Sequence, residues 1–139
     1  MTQFQLSAPP VVLARRPLGQ AMRRGFVGRC PHCGVGRMFR AYLKVVDSCP
    51  VCGEDLSPQR ADDAPAYLTM LVVGHFIVIG IMSEDELFPN APWLLIAGLW
   101  SLLAIGVSLA ILPRIKGALV GYQWAMRMHG FGGPGKEWI

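Results

Sequence analysis

Four cysteines arranged in two close pairs are the side chains of this 139-residue chain best suited to chemistry. Cys30 pairs with Cys33, Cys49 pairs with Cys52, and 15 residues separate the two pairs. This spacing is typical of a zinc site with four thiolate ligands, because each C-x-x-C turn supplies two sulfur atoms from one tight loop. A glycine follows each pair, where such a turn commonly has a positive φ angle. The sequence therefore predicts a four-cysteine zinc ribbon.

The predicted metal site is structural, not catalytic. Four thiolates complete a zinc tetrahedron and leave no open position for a substrate. The same sulfur atoms would also bind iron in a rubredoxin-like site, and the spacing does not distinguish the two metals. His32, inside the first pair, is expected to point away from the metal. The sequence contains no motif typical of a hydrolase or a phosphate-binding loop. We therefore predict no catalytic residues, no small-molecule substrate and no enzyme.

Two strongly apolar segments follow the predicted ribbon. Residues 64–82 and 93–112 contain no Asp, Glu, Lys or Arg, and only 16% of the whole chain is charged, which is low for a soluble domain. As helices of 19 and 20 residues they would be about 28–30 Å long, which matches the thickness of a bilayer core. Both segments are therefore predicted to be transmembrane helices.

Positive charge predicts the orientation of this hairpin. All 13 Lys and Arg residues lie outside the turn between the helices, nine before residue 61 and four after residue 113. Basic flanks stay on the cytoplasmic side, so we expect both termini and the ribbon in the cytoplasm, near the anionic lipids of the inner leaflet. The cytoplasm is reducing, which favours metal-bound thiolates over disulfides.

The predicted fold is a mainly α membrane protein with a cytoplasmic four-cysteine zinc ribbon, a two-helix transmembrane hairpin and a C-terminal interfacial amphipathic helix. Prolines without periodicity indicate a flexible N-terminal arm that is not a signal peptide. Lys116, Gln123 and Arg127 form a polar face after Pro113, which indicates the interfacial helix. The predicted segments are a basic arm (1–25), the zinc ribbon (26–56), a linker (57–63), the first transmembrane helix (64–82), a periplasmic turn (83–92), the second transmembrane helix (93–112), the interfacial helix (113–129) and a flexible tail (130–139).

Polar residues inside the apolar segments are further candidates for function. His75 and Ser101 would lie at similar depth in an antiparallel hairpin, so we expect either a structural hydrogen bond between them or a functional site there. Haem or copper ligation by His75 is an alternative that would need a second ligand. Ala97, Ser101, Ala104 and Ser108 form a stripe of small residues that would let another helix approach closely, from this chain or from a different protein.

Acidic residues flank the first apolar helix on both sides. Asp62 and Asp63 precede Pro65 and are expected to cap the helix N-terminus, with contact to a basic group of a partner as the alternative. Ser83 and Glu86, three residues apart, match a capping box that would form a surface turn after the helix.

The basic residues around the ribbon allow a second class of function. A basic zinc ribbon tethered to a membrane is able to bind nucleic acid. Membrane topology already explains these charges, however, and the ribbon offers few aromatic residues for stacking on bases. We therefore do not expect nucleic acid to be the partner.

Several motifs together resemble the bacterial "domain of unknown function 983" family. They are Cys30-Pro31-x-Cys33-Gly34, Cys49-Pro50-x-Cys52-Gly53, Asp62-Asp63-Ala64-Pro65-Ala66, Gly74-His75, Glu86 and Pro113-x-x-Lys116-Gly117. The resemblance spans residues 23–127 and implies a small inner-membrane protein without an assigned activity. Genes of family members lie beside those of haem-copper oxidase subunits and assembly factors, which implies a respiratory complex as the partner.

On this resemblance we expect a non-enzymatic accessory subunit or assembly factor of a haem-copper oxidase. The zinc ribbon would present basic side chains to the partner, and the hairpin would dock against it in the membrane. The candidate contact residues are Arg29, Arg37, Arg40, Lys44, Asp62, Asp63, Arg114 and Lys116.

Overall fold

A computed structural model describes residues 14–132, so the first half of the predicted arm and most of the predicted tail lie outside the described residues. Within this range the chain is mainly helical, with one small antiparallel sheet. The elements are α1 (Leu18–Phe26), β1 (Phe39–Ala41), β2 (Lys44–Val45), α2 (Ala64–Met82), α3 (Glu84–Leu87) and α4 (Trp93–Ala125), followed by a 3-10 turn over Met128–Gly130.

The longest element, α4, runs through Pro113 without a break. Its 33 residues correspond to about 50 Å, which is well beyond the thickness of a bilayer core. The predicted end of the second apolar helix at residue 112, with a separate helix after it, is therefore wrong. Pro113 has no N–H for the carbonyl of Leu109, which is four residues earlier. The Tyr42 hydroxyl donates a hydrogen bond of 2.8 Å to that carbonyl and replaces the missing donor.

The last part of α4 is the centre of a packed unit and not a helix lying in a membrane interface. Val120 and Trp124 are 0% and 4% exposed, and Gln123, predicted on a polar face, is 8% exposed. The core around them draws on α1, the ribbon, the linker after it and the residue after the 3-10 turn, and consists of Ala21, Met38, Leu56, Ala61, Val120, Trp124 and Phe131. The prediction of an interfacial amphipathic helix is corrected accordingly, because ribbon residues cover the face that was expected to contact lipid.

Helix α1 replaces the second half of the predicted flexible arm. It lies against α4, with the Gly25 backbone on the Gly117 backbone and the Ala21 backbone on Gly121. A Cβ atom on Gly25 or Gly117 would collide with the opposite carbonyl, so only glycine permits this approach. The arm was predicted to be mobile because the stabilising partner of α1 lies about 90 residues away in sequence, where local periodicity gives no sign of it.

Helices α2 and α4 form the hairpin, and both are long and apolar enough to cross a membrane. Most of their large apolar side chains face outward; Ile79 is 66% exposed and Leu102 is 72% exposed. So extensive an apolar surface is unusual for a soluble monomer. Where the two helices touch, the Trp100 ring packs on the backbone of Gly80, at a place where a Cβ atom would collide with it.

The predicted caps of α2 and of the turn differ from the structure. Asp63 is the N-cap residue of α2, but its side chain makes no capping hydrogen bond. Its backbone carbonyl accepts from the N–H groups of Ala66 and Tyr67 instead. The Ser83 hydroxyl donates to the carbonyl of Ile79 at 3.0 Å and does not cap the short helix α3, so the predicted capping box is wrong. The hydroxyl is bonded instead to a carbonyl in the last turn of α2.

Candidate metal centre

Two short hairpins carry the four cysteines. Residues Arg29 and Arg37 pair across the first hairpin, and Ser48 and Asp55 pair across the second. In the first C-x-x-C turn the Gly34 N–H donates to the Cys30 carbonyl at 2.8 Å. In the second, the Gly53 N–H donates to the Cys49 carbonyl at 2.9 Å.

Each turn closes on a glycine in the left-handed region. Gly34 and Gly53 have φ angles of 74° and 72°, as the sequence pattern predicted. The two hairpins therefore repeat one backbone geometry that points two sulfur atoms to the same side.

The four sulfur atoms converge on one point between the hairpins. All of them lie within 4.8 Å of one another. Two of these separations join the hairpins, at 3.8 Å for Cys30 to Cys52 and 3.8 Å for Cys33 to Cys49. A tetrahedron with zinc–sulfur bonds of about 2.3 Å has edges of about 3.8 Å. The donor set and its spacing therefore fit a tetrahedral metal ion that would join the two turns.

The sulfur atoms have unequal surroundings. Burial raises the pKa of the Cys30 thiol to about 12, and burial also raises the pKa of Cys52. The backbone N–H groups of Gly36 and Val35, at 3.5 and 3.4 Å from the sulfur, lower the pKa of Cys33 to about 6. Metal ions bind thiolates, so a metal with a double positive charge would supply the charge that keeps the buried Cys30 deprotonated.

Glu54, two residues after Cys52, joins the metal centre to the end of α4. One carboxylate oxygen accepts a hydrogen bond of 2.7 Å from the Trp124 indole and lies 3.5 Å from the Arg16 guanidinium. Arg16 stacks on the Trp124 ring at 4.1 Å and donates to the Trp124 carbonyl at 2.7 Å. His32 is exposed, with Nδ1 at 3.9 Å from the other oxygen of Glu54. The second cysteine turn is thus held against α4 by charged hydrogen bonds.

Gln123 holds the linker between the ribbon and α2. Its amide oxygen accepts from the Arg60 N–H at 2.9 Å, and its amide nitrogen donates to the Arg60 carbonyl at 2.8 Å. Sequence reasoning missed this contact and the Glu54–Trp124–Arg16 cluster, because Gln123 and Trp124 are 63 to 108 positions away from the residues that they contact. The four-residue spacing of Gly117 and Gly121 was a signal that something packs closely on this part of α4.

The predicted pair inside the hairpin does not form. His75 Nδ1 lies 2.7 Å from the carbonyl of Leu71, and the Ser101 hydroxyl donates to the carbonyl of Ala97 at 2.7 Å. Each side chain is thus satisfied within its own helix, and both are exposed in the single chain. The His75–Ser101 hydrogen bond is wrong, because equal depth in a hairpin does not fix the rotation of each helix about its axis.

The predicted partner-contact residues do not cluster at one point. Seven of the eight are exposed and Lys116 is partly buried. Arg29 donates to the carbonyl of Val35 at 2.7 Å, which ties it to the first cysteine hairpin. Contact with a partner stays a prediction for all eight.

Comparison with known proteins identified a family. A family model described as "Protein of unknown function (DUF983)" matches residues 39–124, which is more than half of the chain. The matched region contains the second cysteine turn and both long helices, and it begins after the first cysteine turn. No match was found among curated proteins or among solved structures.

Proposed function

The chain belongs to the DUF983 family of proteins of unknown function, and we propose that it is a non-enzymatic accessory or assembly protein of a respiratory membrane complex. The haem-copper oxidase is the partner that the family resemblance implies. In this proposal the protein lies in the bacterial inner membrane, both termini are cytoplasmic, and the ribbon is a rigid base on one side of the hairpin.

The continuity of α4 is the observation that carries this proposal. One helix contributes both the apolar surface of the hairpin and the core of the cysteine-bearing unit. Because the same continuous helix is part of both, the cysteine-bearing unit is joined rigidly to the hairpin and not through a flexible linker. Side chains such as Leu95, Leu102 and Ile105 remain exposed on the apolar part of α4 and are available to lipid or to another membrane protein.

The metal in this proposal is structural zinc. Cys30, Cys33, Cys49 and Cys52 would hold it, and its role is to link two hairpins that together bury little apolar surface of their own. The closed set of four thiolates supports the absence of catalysis. Elemental analysis of purified protein distinguishes zinc from iron. The visible absorption spectrum is a second test, because a ferric thiolate centre is coloured and a zinc centre is not.

Affinity purification in mild detergent tests the partner. We expect oxidase subunits to co-purify with the tagged protein and not with an unrelated tagged two-helix membrane protein. A strain without the protein should contain less assembled oxidase, as measured by haem spectra of the membranes. Normal oxidase content together with no co-purifying subunits would overturn the proposal.

A further inference from the structure

A positively charged cleft lies beside the metal centre, at the end of α4. Its volume is about 410 Å³, and it is bordered by the segment before α1, by the first cysteine turn and by Trp124. Four arginines line it, namely Arg15, Arg16, Arg24 and Arg127, and we call it the arginine cleft. Its volume lies within the range of about 300–1,000 Å³ that is usual for small-molecule sites.

The arginine cleft carries an excess of positive charge. Glu54 is the one acidic side chain among its described lining residues. One of the Glu54 oxygens is already engaged by Trp124 and Arg16. Burial lowers the pKa of Arg16, and the nearby charge of Arg127 lowers it further. Arg16 and Arg127 carry like charges that repel each other, and an anion bound between them would offset this repulsion.

Hydrogen bonds to backbone carbonyls hold the guanidinium groups of Arg24 and Arg127 in place. Arg24 donates through one nitrogen to the carbonyls of Pro31 and His32, at 3.1 and 2.7 Å. Arg127 donates through one nitrogen to the carbonyl of Ala14. A guanidinium group has five N–H donors, so within the described residues both side chains keep further donors for a ligand. Fixing the groups in advance reduces the entropy lost on binding.

The position of the cleft along α4 indicates whether its anion would be a lipid headgroup or a dissolved molecule. Trp124 is eleven residues beyond Pro113, which is about 16 Å along the helix. If α4 leaves the hydrocarbon core near Pro113, as the proposed topology requires, the cleft lies beyond the headgroup layer, which is about 5–8 Å thick on each side. A dissolved anion therefore reaches the site more readily than a lipid headgroup does.

Guanidinium groups bind phosphate oxygens through paired hydrogen bonds, and several of them surround one small volume here. We propose that the arginine cleft binds a small soluble anion with two or more linked phosphate groups, such as pyrophosphate or the polyphosphate part of a nucleotide. The choice of a dissolved anion rests on the membrane topology proposed above, but the site itself requires no respiratory partner, so failure to find such a partner would leave this proposal standing.

Titration calorimetry of the full-length, metal-loaded protein in detergent tests the proposal, with inorganic pyrophosphate and ATP as probes. We expect saturable binding that weakens as salt is raised. Replacing Arg127→Gln should weaken pyrophosphate binding at least tenfold, and Arg15→Gln should weaken it severalfold. The matched control is Arg40→Gln, an exposed arginine of β1 outside the cleft, which should change the affinity less than twofold.

The outcomes separate the proposal from its alternatives. Equal binding of pyrophosphate and ATP would identify phosphate as the recognised group, and tighter binding of ATP would add a base contact within the same site. Absence of saturable binding at low salt, or an equal effect of Arg40→Gln, would overturn the proposal. So would displacement of pyrophosphate by phosphatidylglycerol vesicles, because the anion would then come from lipid. Metal content and helix content are measured for each variant, and exposed Arg15 decides the test if Arg127→Gln fails to fold.

Discussion

Replacing Tyr42→Phe tests how α4 passes through Pro113. The substitution removes one hydroxyl group and leaves the ring in place at the tip of the β1–β2 hairpin. In the structure this hydroxyl donates a hydrogen bond of 2.8 Å to the carbonyl of Leu109. Pro113 has no N–H to donate to this carbonyl, so removing the hydroxyl leaves the carbonyl without either donor.

The expected loss follows from the position of the carbonyl. A typical net hydrogen bond contributes about 0.5–1.5 kcal/mol, and stranding a polar group away from water costs about 1–3 kcal/mol. Leu109 is one helical turn before Pro113, within the apolar part of α4, where water would not replace the hydroxyl in a membrane. We therefore expect Tyr42→Phe to lower the free energy of unfolding by about 1–2 kcal/mol.

A double-mutant cycle isolates this effect. Pro113→Ala restores the missing N–H, so Tyr42→Phe should cost little in that background, with a coupling energy of about 1 kcal/mol. Unfolding is followed by circular dichroism as denaturing detergent is added to mild-detergent micelles. Tyr67→Phe, on an exposed site of α2, is the matched control and should be neutral. An equal cost of Tyr42→Phe with and without Pro113 would refute the reasoning.

Three further predictions concern the unit around the end of α4. Gly117→Val should displace α1 and lower stability by at least about 2 kcal/mol through overpacking, measured by thermal unfolding, whereas Gly106→Val, with open space around its Cβ position, should be tolerated. Glu54→Leu should cost about 1–3 kcal/mol in chemical unfolding because the Trp124 indole loses its acceptor, and Glu54→Gln, which keeps an acceptor, should cost less. Cys33→Ser should abolish stoichiometric metal binding and unfold the ribbon while the hairpin helices persist, as measured by elemental analysis and hydrogen exchange; a folded ribbon without metal would contradict the structural role of the metal.

Local sequence patterns were sufficient for the cysteine cluster, for α2 and for the apolar part of α4. Two C-x-x-C turns specify their own geometry within a few residues, so the convergence of Cys30 and Cys49 required only that the two turns meet. The apolar segments within α2 and α4 were predicted as helices because their length and their lack of charged side chains are typical of a helix that crosses a membrane. In these cases the information lies within the segment that it describes.

Two of the errors, at Pro113 and at α1, share a different physical cause. Pro113 was expected to end a helix, and the donor that stabilises the continued helix belongs to Tyr42, 67 residues away from Leu109. Helix α1 was predicted as mobile because its stability depends on the backbone contact between Gly25 and Gly117. Each of these two errors therefore concerns an element whose conformation is decided by a distant partner and not by its own sequence.

These distant contacts change how the metal centre is understood. A ribbon over residues 26–56 alone is too short to bury a sufficient core, so metal binding would have to supply much of its folding free energy. In the structure Met38 and Leu56 of the ribbon share one core with Val120 and Trp124 of α4. The ribbon and the end of α4 therefore stabilise each other, and a bound metal would join the two cysteine turns on one side while α4 covers the other. Loss of the metal should consequently loosen the last turns of α4, where Val120 and Trp124 share this core with the ribbon.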